Sequence, residues 1–334
     1  MDVALCHSPG RLETETRDVP VRREGEVLIR IRRVGICGTD LHIYAGNQPY
    51  LEYPRVPGHE LAGEVVESDP GSAFVPGTVV CVMPYMSCGT CGACRRGKTN
   101  CCRNIQVLGV HRDGGLAEYL SVPEALVIDV AGLSLDDAAM VEFLSIGQHA
   151  ARRADIQPGQ KVLVSGAGAI GIGTAYFAKR AGAHVTISDL RAERLALCRQ
   201  LGLDTVEPGA ALEERAQALT DGENFDVVFD ATGSKSAMET GFRYVAHGGK
   251  YVLISIVSAD IQFSDPEFHK REMTLMGSRN ATLDDFAAVI AELRSGRIPT
   301  ESLRTHRSTL RELPHCISEW AKPETGVIKA IVAV

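Results

Sequence analysis

One turn restricts the fold of this chain more than any other feature. The segment Gly166-Ala167-Gly168-Ala169-Ile170-Gly171 lies between an apolar stretch, Lys161–Ser165, and a helical pattern over 170–181. A strand that enters Gly-x-Gly-x-x-Gly and leaves as a helix opens a βαβ unit, so the glycines gain meaning from what flanks them. Gly166 permits the tight turn, Gly168 lets backbone approach a pyrophosphate, and Gly171 lets the helix pack closely on the strand. Ile170 belongs to the same cofactor-binding turn. The first N–H groups of the helix have no partners within it and attract an anion.

The alternation continues downstream. A strand over His184–Ser188 leads to a helix over 192–201, and further strands follow at Phe225–Asp230, 250–254 and 273–276. Strands alternating with helices of this length predict a parallel sheet and an α/β fold. Asp189 ends the second strand about 20 residues after the glycine turn, where a carboxylate accepts the ribose hydroxyls of NAD and repels the 2′-phosphate of NADP. Arg191 and Arg194 lie close by and soften that preference. Thr232, in Asp230-Ala231-Thr232-Gly233, is expected to line the dinucleotide crevice at the carboxyl ends of the strands.

The first part of the chain has another texture. Short β-type runs (Val27-Leu28-Ile29-Arg30-Ile31, Glu64-Val65-Val66, Thr78-Val79-Val80-Cys81-Val82) are punctuated by Pro57-Gly58, Pro70-Gly71 and Pro76-Gly77. That pattern predicts an irregular β-rich barrel. The helical texture begins near Leu135, with a helix start at 136–140 and a run over 145–154. Near the end come helices over 283–295 and 310–321 and a strand over 327–334, which has few obvious partners in the α/β half and is expected to return to the β-rich one. The expected domains are therefore 1–145 with 283–334, β-rich, and 146–282, a Rossmann domain binding NAD, with the active site in the cleft. Two domains also suit a chain of 334 residues.

Composition excludes several classes. A net charge of −7 argues against nucleic acid or an anionic membrane as partner. No apolar run approaches the ~20 residues of a bilayer span. The amino-terminal MDVALCHSPG does not read as a signal peptide, so a cytoplasmic location is expected. Ten cysteines in such a chain should stay reduced, which directs attention to metals before disulfides.

Four of them, Cys88, Cys91, Cys94 and Cys102, fall within one loop at spacings x2, x2 and x7. A structural zinc site wants a closed tetrahedron of thiolates. Cys101 is the spare, and from spacing alone either it or Cys102 completes the set. A second constellation is Cys37-Gly38-Thr39-Asp40-Leu41-His42 followed by Gly58-His59-Glu60. A catalytic zinc needs three protein ligands and an open position. Cys37 and His59 supply two, Glu60 or Glu142 supplies the third, and Asp40 can orient the His59 ring from behind.

The segments VGICGTDLHIYAG and VPGHELAGEV, the four-cysteine loop and the glycine turn occur in the order found in the zinc-containing medium-chain alcohol dehydrogenases. The resemblance spans essentially the whole chain. Within that superfamily, GNQPYLEYPRVPGHE, TNCCRNIQVLGVHRDGGLAEYLSVPE and IQFSDPEFHKREMTLMGSRNAT look most similar to the sugar-acid branch, the L-galactonate and L-gulonate 5-dehydrogenases. It implies a GroES-like catalytic domain beside the Rossmann domain. Cys37 and His59 would bind catalytic zinc, and Cys88, Cys91, Cys94 and Cys102 structural zinc. Thr39 would bond the substrate hydroxyl and His42 pass its proton toward solvent. Val141-Glu142-Phe143 stands where the polyol branch has a carboxylate on the zinc or its water; that branch usually follows the Glu with Pro, and Phe143 departs from it. The resemblance further implies a homodimer or homotetramer.

For a sugar-acid substrate a cation is needed. Candidates are Arg112, Lys270, Arg271 and Arg279, with Asn280, Gln48, Tyr50 and Glu118 for hydroxyls; Arg279-Asn280, just after the last strand of the α/β unit, is the first choice. Rival readings are the same chemistry on sorbitol, L-idonate or L-threonine, a non-catalytic nucleotide-binding protein, and a zinc-bearing nucleic-acid binder. The acidic charge and the lack of a His pair at finger spacing oppose the last.

Overall fold

The computed structural model describes the backbone of residues 1–334 and every side chain but that of Pro323. It divides into two compact units, Met1–Phe143 with Thr282–Val334, and Leu144–Ala281. The helix Val141–Ala154 straddles the first boundary, so no turn residue marks it in the sequence. The second boundary falls at a helix cap, where Thr282 and Asp285 form a capping box on the helix Leu283–Arg294.

The Leu144–Ala281 unit holds a six-stranded sheet, all parallel, in the order Asp204–Val206, His184–Ser188, Lys161–Ser165, Phe225–Asp230, Val245–Leu253, Thr274–Gly277. This is the doubly wound dinucleotide-binding order, whose direction reverses between the third and fourth of these strands. The central strands are apolar throughout because helices cover both faces: Leu163, Val164, Val228 and Phe229 are wholly buried. Phe242 packs edge-on against Tyr251 at 4.7 Å between centroids. The buried Tyr251 hydroxyl donates to the Met238 carbonyl at 2.8 Å, so that hydroxyl is satisfied inside the core.

The other unit is built on a seven-stranded sheet. Its path runs Arg304–Thr309, Lys329–Ala333, Glu26–Ile36, Glu60–Glu67, Val79–Val82, Val127–Asp129, and Tyr119–Pro123 also pairs with Glu26–Ile36. The final strand does return to this unit, antiparallel to Glu26–Ile36 with Ala330 opposite Ile36. Two small pairings complete it, a hairpin of Asp2–Ser8 with Arg11–Thr16 and a ribbon of Tyr85–Met86 with Gln106–Val107. Among the described residues, no helix is long and apolar enough to cross a membrane.

Candidate metal centres and cofactor turn

The loop of short helices after Met86 gathers four sulfurs. Ligand atoms of Cys88, Cys91, Cys94 and Cys102 all lie within 4.8 Å of one another. Burial decides between the adjacent cysteines: Cys102 is 1% exposed, whereas Cys101 is exposed and lies outside the cluster. Backbone donors prepare the thiolates. Thr90, through its N–H and hydroxyl, pulls the Cys88 thiol down to about 5, and the N–H groups of Cys94 and Arg103 pull Cys91 down to about 7. Burial and the neighbouring thiols push Cys94 up to about 11. Four sulfurs that cannot all be anions together without a cation fit a structural zinc.

The second constellation grows from Asp40, which is fully buried in the first turn of the helix Gly38–Ala45. Its carboxylate accepts the Cys37 N–H at 2.8 Å and the Gly58 N–H at 3.0 Å, tying together the two segments that carry Cys37 and His59. His59 Nδ1 faces Asp40 Oδ1 at 3.8 Å without closing a hydrogen bond. Cys37, His59 and Glu60 bring ligand atoms within 4.8 Å of one another. Gly35 makes room on the facing strand, since a Cβ there would collide with the Glu60 carboxylate. Burial alone would lower the His59 pKa, but Asp40, Cys37 and Glu142 outweigh it and raise it well above the usual value. A buried pocket of soft and hard anionic donors around an imidazole fits a zinc ion.

The two carboxylates are sorted by partners that sequence reasoning missed. Glu60 is clasped by Lys329 Nζ at 2.5 and 2.7 Å, and that ammonium also donates to the Ile36 carbonyl at 3.2 Å and lies 4.4 Å over the Phe143 ring. The departure at Phe143 therefore supplies an aromatic face to a buried cation. Glu142 accepts from the Tyr85 hydroxyl and stands outside the Cys37–His59–Glu60 group. Burial pushes the Glu142 carboxyl up to about 7, against the pull of His59. A lone lysine in the apolar run Val327-Ile328-Lys329-Ala330-Ile331 was the one available signal. Thr39 Oγ1 lies 3.8 Å from Cys37 Sγ, and His42 is exposed in the last turn of the same helix.

In the other unit, Gly166 turns with φ +97, and a Cβ on Gly171 would collide with the Gly166 carbonyl oxygen. Gly168 caps the helix Ala169–Arg180, which contains Ile170. Asp189 accepts the Ala167 N–H at 2.7 Å and the Arg191 N–H at 2.9 Å, and Arg194 Nη1 is 3.6 Å from it. One carboxylate thus fastens the second strand end to the glycine turn. Thr232 donates to Asp230 at 3.0 Å, beside a Gly166 whose Cβ would fall 2.8 Å from the Ala231 carbonyl oxygen. The structure therefore brings all the turn residues to the point where strand order reverses.

The substrate candidates scatter. Glu118 Oε2 accepts the Asp2 N–H at 2.8 Å, anchoring the first strand, and so is committed to the backbone. Arg279 is exposed and Asn280 has φ +55, both in the loop after Thr274–Gly277. Arg271 is engaged by Glu267 and the carbonyls of Arg243 and Val245.

Two family models match the chain: the alcohol dehydrogenase GroES-like domain over residues 23–132 and the zinc-binding dehydrogenase over residues 169–295. The chain belongs to the zinc-type medium-chain alcohol dehydrogenases, and is a zinc- and NAD-dependent enzyme of that class. It is 44% identical over 335 residues to L-galactonate-5-dehydrogenase of Escherichia coli (strain K12), covering 99% of this chain and 98% of that one. The solved structure of the short chain alcohol dehydrogenase RspB from E. coli CFT073, complexed with NADH, matches with TM-score 0.92 at 28% identity, over 100% of this chain and 99% of that one. L-idonate 5-dehydrogenase of E. coli matches with TM-score 0.91 at 26% identity, over 100% and 98% of the two chains.

Proposed function

We propose that the protein oxidises a secondary hydroxyl of a sugar acid of the L-galactonate or L-gulonate type, with NAD as acceptor. The observation that carries this reading is the 44% identity to L-galactonate-5-dehydrogenase over 99% of the chain. Sorbitol dehydrogenase of Bacillus subtilis (strain 168), at 30%, is more distant.

Cys37, His59 and Glu60 would hold the catalytic zinc, with Glu142 near enough to influence its water, and Cys88, Cys91, Cys94 and Cys102 would hold the structural zinc. Zinc at the first site supplies the Lewis acid that brings an alcohol pKa toward neutrality. Thr39 would accept a hydrogen bond from the substrate hydroxyl and pass on its own hydroxyl proton as it takes the substrate's, a relay worth about 10²–10⁴-fold for positioned proton transfer. His42, one turn along the same helix face, hands the proton to solvent. Asp40 fixes the Cys37 and His59 segments and orients the imidazole. Gly166, Gly168, Ile170 and Gly171 seat the pyrophosphate, Asp189 takes the adenosine ribose hydroxyls and disfavours NADP, and Arg194 and Thr232 line the same crevice. NAD, when bound there, would supply the hydride acceptor.

A homodimer or homotetramer is the assembly we propose. Thr274–Gly277 ends the parallel sheet with Leu275 39% exposed, an edge suited to pairing with another copy. A cytoplasmic location suits an enzyme that depends on four reduced thiols.

A competition assay tests the reaction. With L-galactonate and sorbitol present in equal amounts, product analysis should find the keto acid; fructose as the main product would overturn the substrate class and leave the dehydrogenase chemistry in place.

A further inference from the structure

We infer that Arg112 reads the substrate carboxylate, at the tip of a loop folded against the His59 segment. The inference rests on the sugar-acid reading and names the residue behind it. The loop 109–115 is seated on that segment by backbone bonds: Gly114 N–H donates to the Val56 carbonyl at 2.7 Å and Gly115 N–H to the Gly58 carbonyl at 2.9 Å. The contact is close enough that a Cβ on Gly109 would fall 2.9 Å from the Gly58 nitrogen. Gly58 immediately precedes His59, one of the three residues that gather around the metal position. The loop that carries His111 and Arg112 at its tip is therefore fixed to the segment that leads into His59.

The tip is furnished for a polyhydroxylated anion. Tyr50, from the loop after the helix that Cys37 begins, stacks on His111 with ring centroids 6.3 Å apart and planes at 18°. His111 Nδ1 accepts the Val107 N–H at 3.1 Å, which holds the ring on its own loop. Arg112 is exposed and rests on the Met86 sulfur at 3.5 Å. The neighbouring carboxylate is taken: Asp113 pairs with Arg17 at 3.3 Å and Arg55 at 3.2 Å. Among the described residues Arg112 makes no ion pair, so its planar fork is open to a carboxylate in the two-bond geometry that guanidinium favours. Arg271, by contrast, spends its donors on Glu267 and two carbonyls.

The test compares L-galactonate with its uncharged isostere L-galactonamide, on the zinc-loaded enzyme with saturating NAD. Wild type should prefer the acid. Arg112→Met keeps a long side chain on Met86 and should lower the acid-over-amide ratio of kcat/KM by about 10- to 100-fold, mostly through KM for the acid. Arg112→Lys, which keeps charge and loses the fork, should fall between. The inference is overturned if Arg112→Met lowers both substrates equally, or if Arg279→Ala removes the preference while Arg112→Met keeps it. A wild type that oxidises neither compound but oxidises sorbitol overturns the sugar-acid reading, and the carboxylate role with it.

Discussion

Lys329 Nζ lies 2.5 and 2.7 Å from the two carboxylate oxygens of Glu60, with the two side chains 2% and 0% exposed. The residues are 269 positions apart in the chain, and their pairing joins the final strand to the strand that follows His59. Burial alone would lower the lysine pKa, but Glu60 and Cys37 raise it above its usual value. The ammonium is therefore kept charged behind Cys37, His59 and Glu60, where it balances an excess of anions.

Removing one partner of such a pair strands the other as an uncompensated buried charge. Lys329→Met is expected to cost roughly 3–5 kcal/mol of stability in the metal-free protein, where no zinc stands in for the ammonium, read by urea denaturation after chelation. Adding Glu60→Gln to it should return much of that loss, because the stranded charge is gone. A single variant as stable as wild type would show that the pair contributes nothing.

The four-sulfur loop predicts a stoichiometry. Cys102→Ser should lower bound zinc from two ions per chain to one by elemental analysis, and should expose the loop to proteolysis, since structural zinc supplies on the order of 10 kcal/mol to such a site. Cys101→Ser should leave both metal content and protease resistance unchanged. The opposite pattern would assign the ligand to the neighbouring cysteine.

Asp189 is the residue we propose to set cofactor choice. With Asp189→Ser, KM for NAD should rise by about tenfold or more, the loss of a charge-assisted bond pair, while activity with NADP should fall less or increase. Because the same carboxylate holds the Ala167 and Arg191 N–H groups, some of the loss should appear with both cofactors. An unchanged ratio between the two would contradict the ribose role.

Asp136 gives a pH dependence with a definite sign. Burial alone would raise its pKa, but Arg307 at 2.6 Å and Arg33 at 2.8 Å outweigh it and hold the carboxyl below its ordinary 3.8; Asp137 nearby pairs with Arg304. A depressed pKa adds stability that is complete above the unfolded value and is lost as pH falls through the folded one. Asp136→Asn should therefore lower stability by about 0.5–1 kcal/mol at neutral pH for this part-exposed cluster. That difference should vanish well below pH 3.8. A gap that persists in acid would mean a packing effect.

These sites differ in how far the sequence disclosed them. The glycine turn was legible because its physics is local: strand, turn, cap and Asp189 fall within one βαβ unit. So were the four cysteines, although the choice of Cys102 over Cys101 turned on burial, which spacing does not encode. Lys329 and Tyr85 were not legible as partners of Glu60 and Glu142, because each meets its carboxylate only after strands distant in sequence are brought together. The same holds for Glu118, whose commitment to Asp2 depends on how the first strand packs. The first unit boundary left no turn signal because it falls inside the helix Val141–Ala154.

The most direct test of the whole account is NADH formation with NAD against L-galactonate, L-gulonate, L-idonate, sorbitol and L-threonine, before and after chelation and again after zinc is restored. The account predicts the highest kcat/KM on L-galactonate or L-gulonate, abolished by the chelator and recovered with zinc. Turnover that survives complete loss of the metal, or that is confined to sorbitol or L-threonine, would contradict it.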